Sequence, residues 1–207
     1  MAIDLHQRIA AQFPRLYHYS SAVNRSQIER LGAVLSADFI RTLAIPPPPR
    51  GRRMVGTPVP TQLGDFTLND QAALNYGHVK HPESLSEADF ADLLDQFAFF
   101  WPGSVQDPIE MGSNFANRYL SGGRSLLRIS FPTESFFRIN NAARIFLSIC
   151  NSGAPRSNPN AVIYRGPDTF TPLAEFSDSV KTIKEIAVMG FARLPPFEIT
   201  DLTGSAE

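Results

Sequence analysis

Hydrophobic positions along the chain change their period several times, and each change marks an element. Ile9 and Phe13 stand four apart with Ile3 and Leu5 before them, which predicts a short amphipathic helix over 3–13 that Pro14 stops and that covers a sheet. Residues 16–20 then alternate apolar and polar in an aromatic-rich stretch, the mark of a strand, and Ser20 or Ser21 is placed to cap a helix ending at Gly32. Ser86-Glu87-Ala88-Asp89 opens another helix, whose face carries Phe90, Leu93, Leu94 and Phe97 and which leads straight into Phe99-Phe100-Trp101. A short helix over 113–120 is closed by Gly122-Gly123. Strands are expected at 126–131, 145–150 and 161–164, the last two separated by a loop rich in Ser, Asn and Pro. The stretch 180–189 is dense in β-branched residues, with Ile183, Glu185 and Ala187 on one face and Lys184, Ile186 and Val188 on the other, so Glu185 is expected in mid-strand.

Between Phe39 and Gly64 the pattern lapses. Arg41, Arg50, Arg52 and Arg53 occur there with no acidic residue and with the run Pro46-Pro47-Pro48-Pro49, which predicts an exposed, basic, partly extended loop at about 41–64. Such a loop is either a solvated linker or a patch that tracks phosphates without reading bases. The remaining pattern suits a single α+β domain over 1–207, and a hydrophobic share of 43% with 16 Phe supplies its core. No repeat of 20 to 50 residues is visible, which argues against a solenoid.

Charge and cysteine usage narrow the chemistry. A formal net charge of -1 leaves no global basic field, so a nucleic acid or anionic membrane could be held only by a local patch. The single cysteine, Cys150, allows no internal disulfide and no multi-cysteine zinc site; it follows an apolar stretch with no evident histidine partner and is expected buried and inert. His78 and His81 are three apart, but Gly77 and Pro82 around them argue against a regular helix, so no metal is expected. The first residues lack a basic segment followed by an apolar one, and no stretch approaches the roughly 20 apolar residues of a membrane span. A cytoplasmic setting without membrane attachment is the expectation. No glycine-rich phosphate loop is present, which leaves an ordinary kinase or dehydrogenase without an anchor.

Two residues stand out against this background. Glutamate is depleted in strands and costly to bury, so Glu185 is either a solvated edge residue or a carboxylate projecting into a cleft. His18 lies between Tyr17 and Tyr19, just ahead of a helix start whose N–H groups, with the hydroxyls of Ser20 and Ser21, favour a sugar or a phosphate; the alternative is a structural histidine. Trp101, after Phe99 and Phe100, either completes the core or serves as a stacking platform.

The run Leu16-Tyr17-His18-Tyr19-Ser20-Ser21, followed by Asn24, Ile28, Leu31-Gly32 and Leu35-Ser36, resembles the opening of ADP-ribosyltransferase folds, and among them the DarT-like nucleic-acid-modifying bacterial toxins. The stretch from Phe97 to Trp101, the helix from Asn114 to Tyr119 and the strand from Leu126 to Ile129 resemble the middle of that fold, and Glu185-Ile186-Ala187-Val188 its last catalytic strand. The resemblance implies split, mostly antiparallel sheets with flanking helices, and NAD as co-substrate. It implies that His18, with Tyr19 and Ser20 beside it, binds the adenosine-side ribose, that Phe100, Trp101 or Tyr119 stacks on nicotinamide, and that Glu185 contacts the nicotinamide ribose. A fixed carboxylate there stabilises the oxocarbenium-like charge that develops as the nicotinamide bond breaks. The loop arginine of DarT-like toxins would be Arg50, Arg52 or Arg53. Trp101 stands where many members carry tyrosine, and Ile183 where arginine-modifying members carry a second acid, which argues against protein arginine as acceptor. DNA or RNA is then the implied acceptor and an antitoxin or immunity protein the implied partner; NAD glycohydrolase action and a catalytically silent nucleotide-binding module are the alternatives.

Overall fold

The computed structural model describes residues 4–72, 83–150 and 165–204; the expectations placed on His78, His81 and the loop and strand at 151–164 lie outside them. Helix α1, Leu5–Gln12, precedes strand β1, Arg15–Ser21. A 3-10 turn, Ala22–Asn24, runs into α2, Arg25–Leu31, which stops at Gly32 in the left-handed region with φ +56°. Strand β2, Ala33–Leu35, and helix α3, Ala37–Leu43, follow, and the Ser36 hydroxyl caps α3 by accepting from the Phe39 amide. A hairpin of β3, Thr57–Thr61, and β4, Gly64–Leu68, precedes α4, Glu87–Asp95, β5, Phe97–Gly103, and α5, Glu110–Ser121. The chain continues through β6, Ser125–Pro132, α6, Thr133–Ile139, β7, Ile145–Ser148, β8, Thr171–Pro172, β9, Glu185–Met189, β10, Phe191–Arg193, and β11, Glu198–Thr203.

Seven strands form one sheet in the order β11-β6-β1-β5-β9-β7-β8, every pairing antiparallel, and β10 pairs with β2 in a small separate sheet. The fold is α+β. One face of the large sheet carries the main core, where Ile9 of α1 and Phe136 of α6 pack on Leu16, Phe100, Ile129 and Ile186. Burying each such side chain is worth about 1.5–3 kcal/mol. The opposite face is covered twice, by a cluster of Phe90 and Leu94 of α4 with Phe97 and Ala187, and by a cluster of Ala116 and Tyr119 of α5 with Tyr19 and Trp101. Because β9 is covered on both faces, its residues from Glu185 to Val188 are all buried, and Glu185 is no solvated edge residue.

Several expectations are corrected by tertiary contacts. The basic loop is shorter than 41–64: Arg41 belongs to α3, and Thr57–Thr61 is a strand of the hairpin. The helix after β1 is not capped by a serine hydroxyl; it begins as a 3-10 turn, while the Ser20 hydroxyl accepts from Asn24 Nδ2. The predicted strand over 180–189 is halved, because Val180–Thr182 is a 3-10 turn, and Glu185 opens β9 rather than standing in its middle. Cys150 is half-buried rather than buried.

Candidate functional site

The large sheet forks at β5. Its last residues pair with β1, ending at Tyr17 opposite Trp101, whereas its first residues pair with β9, ending at Phe100 opposite Ile186. Strand β5 therefore exchanges one neighbour for the other between Phe100 and Trp101. His18 is the first residue of β1 released from that ladder, and Glu185 the first residue beyond the end of the other. The two lie on either side of β5, at the point where it changes partners.

At the fork, backbone groups that a neighbouring strand would satisfy find side chains instead. The Phe99 carbonyl accepts from His18 Nδ1 at 2.8 Å, and the Tyr19 carbonyl accepts from Asn69 Nδ2 at 3.5 Å. A carbonyl can only accept, so the imidazole carries its proton on Nδ1 and keeps a lone pair on Nε2. Desolvation pulls the His18 pKa down from 6.5 to about 4, with the hydrogen bond to Phe99 acting in the opposite sense. The imidazole is thus a neutral acceptor at physiological pH. Pleat alternation sends His18 towards the main core with Leu16, and Glu185 towards the α4 side with Ala187. The two side chains thus leave opposite faces of the sheet on either side of β5. Glu185 is 2% exposed, and Ser148 of β7 stands directly opposite it.

Beside the fork lies a buried group of charges. Arg53 grips Asp95 with both terminal nitrogens, Nη2 donating to Oδ1 at 2.7 Å, and Arg41 Nη1 lies 2.6 Å from Asp95 Oδ2. Arg41 is 5% and Asp95 3% exposed, so two guanidinium groups share one carboxylate away from water. Among the described residues no acceptor meets Arg41 Nε or Nη2, a costly state for a buried cation. Arg53 Nε also donates to the Asn69 carbonyl, tying this group to the residue that reaches the fork. Sequence reasoning missed Asn69 and Asp95 and counted Arg41 only among the arginines of the basic loop; the one available signal was Asp95 itself, a carboxylate directly after the apolar Leu93-Leu94 pair.

The other nominated residues divide. Arg50 pairs with Asp38 at 2.8 Å and keeps a largely exposed side chain, and Arg52 donates to the Gln71 and Ala72 carbonyls. Phe100 and Trp101 point to opposite faces: Phe100 packs on Phe131 and Phe136, Trp101 on Phe115 and Tyr19. Tyr119 packs on Phe115 and donates its hydroxyl to the Asp70 carbonyl at 3.1 Å. Burial raises the pKa of Tyr19 to about 12 and that of Tyr119 also upward. The buried indole N–H of Trp101 meets no acceptor among the described residues. Ser20 is buried and fastened to Asn24, whose side chain also exchanges hydrogen bonds with the backbone of Thr67 and so docks the hairpin on the start of α2.

Among the described residues no group of three His, Cys, Asp or Glu could hold a metal ion, and no helix is long and apolar enough to cross a membrane. The fold and site define a class: an α+β protein built on a forked antiparallel sheet, with a neutral histidine and a buried glutamate on either side of the fork. The model of a family of unknown function, DUF7002, matches residues 14–198, and the chain belongs to that family. Neither the curated proteins nor the solved structures contain a match to it.

Proposed function

We propose that the protein is an NAD-dependent ADP-ribosyltransferase whose co-substrate lies across the fork. The observation that carries this reading is the pairing of His18 and Glu185 around the point where β5 changes partners. His18 Nε2 accepts from a ribose hydroxyl at the adenosine end. The surplus guanidinium of Arg41, beside Arg53, offers donors to the diphosphate. Trp101 Nε1, a buried donor lacking an acceptor among the described residues, adds a further polar contact near the fork.

Glu185 stands near the nicotinamide ribose. As the bond from C1′ of that ribose to nicotinamide breaks, the bonding pair leaves with nicotinamide, neutralising its ring, and positive charge develops on the sugar. A carboxylate held in a dry site stabilises that charge more than it does the ground state. The acceptor oxygen or nitrogen then bonds to C1′ and gives up its proton. Water as acceptor makes the same site a glycohydrolase.

The test is Glu185→Ala assayed for nicotinamide release from NAD. Release should fall about 10²–10³-fold, with circular dichroism unchanged. Wild-type turnover in that variant would remove the assignment. Mass spectrometry of the products with and without DNA or RNA then separates transfer, which leaves ADP-ribose on the nucleic acid, from hydrolysis, which leaves it free.

A further inference from the structure

At the end of β9 remote from Glu185, a cavity of about 180 Å³ opens between the C-terminal end of α6 and strand β10. Ile139, Val188 and Phe191 supply an apolar floor, and Arg144 and Arg193 supply charge, with no acidic residue in the lining among the described residues. At about 30 Å³ per water molecule, the space equals about six waters, more than one oxyanion needs and enough for one carried on a small ring.

Arg144 is held in a fixed pose. Its Nε donates to the Met189 carbonyl at 2.9 Å, its Nη2 donates to the same oxygen, and its guanidinium carbon lies 4.5 Å over the Phe191 ring. Gly190 makes room for it: the backbone there has φ +77°, and a Cβ would fall 2.5 Å from Arg144 Nη2. These bonds use Nε and Nη2, and among the described residues none is made by Nη1 of this cavity-lining side chain. Strand β10 is fastened as firmly, because Asn140 Oδ1 accepts from the Arg193 amide and Asn140 Nδ2 donates to the Arg193 carbonyl, both at 2.9 Å. The Arg193 side chain itself makes no ion pair among the described residues. Two guanidinium groups facing one cavity repel each other until an anion joins them, and their planar donor sets suit carboxylate and phosphate oxygens.

We propose that this cavity is a binding site for a small organic oxyanion, a phosphate monoester or carboxylate borne on an apolar group, held by Arg144 and Arg193 over the floor formed by Phe191. The proposal does not depend on the NAD reading.

The experiment is titration of the full chain with phenyl phosphate, benzoate and inorganic phosphate, followed by calorimetry and by amide NMR shifts. Saturable binding of phenyl phosphate or benzoate is expected, with shifts at Gly190, Phe191 and Arg193. Whichever of the two binds tighter identifies the preferred oxyanion, and inorganic phosphate, which leaves the apolar floor uncovered, should bind about tenfold more weakly, equivalent to the loss of about 1.4 kcal/mol. Arg193→Gln, which touches no buried contact, should weaken the better ligand about tenfold. Arg144→Lys keeps a charge but loses the fork and should weaken it similarly, with folding checked by the NMR spectrum. Absence of saturable binding by either aromatic probe at concentrations on the order of 10 mM, or unchanged affinity in Arg193→Gln, would overturn the proposal.

Discussion

His18 has its proton placed by one carbonyl and its charge suppressed by burial, and both have a consequence that can be measured. The imidazole gains a proton at about 4 in the fold, against an ordinary value of 6.5. Between those values the unfolded chain binds more protons than the folded one, so this group's contribution to stability is complete above about 6.5 and is lost as pH falls towards about 4. His18→Gln, which can still donate to the Phe99 carbonyl, should therefore lose less stability than the wild type between pH 7.5 and pH 4.5 in urea unfolding. Equal losses would mean that the imidazole is hydrated. At this scale the chain was partly legible. Glu185 announced itself as a carboxylate in a β-forming run, and His18 as a polar residue between aromatics. Trp101 was not legible, because an indole reads alike whether it faces a ligand or, as here, Phe115 and Tyr19.

Elements with their own local signals emerged as expected. Helix α4 carries a complete capping box between Ser86 and Asp89, and its buried Phe90 and Leu94 come from the periodic face that predicted it. Strand β3 falls inside the stretch expected as a basic loop, and it forms a hairpin with β4 although it contains Pro58 and Pro60. Residues two apart send their amides to the same edge of a strand, so both missing donors fall on one edge, and Val59 between them packs into the hairpin's own core with Phe66 and Leu68. The segment before Glu185 has β-branched residues but pairs with no strand among the described residues, and it turns instead. Asp95 is where three elements meet, since it ends α4 and takes Arg41 from α3 and Arg53 from the shortened loop. Asp95→Asn keeps the shape but leaves two buried guanidinium groups uncompensated, and should cost about 3–5 kcal/mol in chemical denaturation. A loss well under 1 kcal/mol would show that water reaches this group.

The arrangement of the whole molecule turns on one strand serving two neighbours. Strand β5 joins the β11-β6-β1 half of the sheet to the β9-β7-β8 half, and the candidate site sits on that joint. A co-substrate lying across the fork would contact both halves in the folded state alone. NAD at about 100 times its Kd should then raise unfolding stability by about 2.7 kcal/mol, seen as an upward shift of the thermal transition. No shift at saturating NAD would sink the reading of the fork as a dinucleotide site.

Local order was determined by the chain itself: amphipathic periods, a capping box and a glycine stop are satisfied by residues a few positions apart, so they can be read from spacing alone. The exchange of partners along β5, the neutral state of His18, the burial of Glu185 and the sharing of Asp95 by two arginines were decided only in three dimensions. Each depends on groups brought together from remote parts of the chain, and desolvation and strand pairing act between those groups without leaving a periodic trace in the sequence.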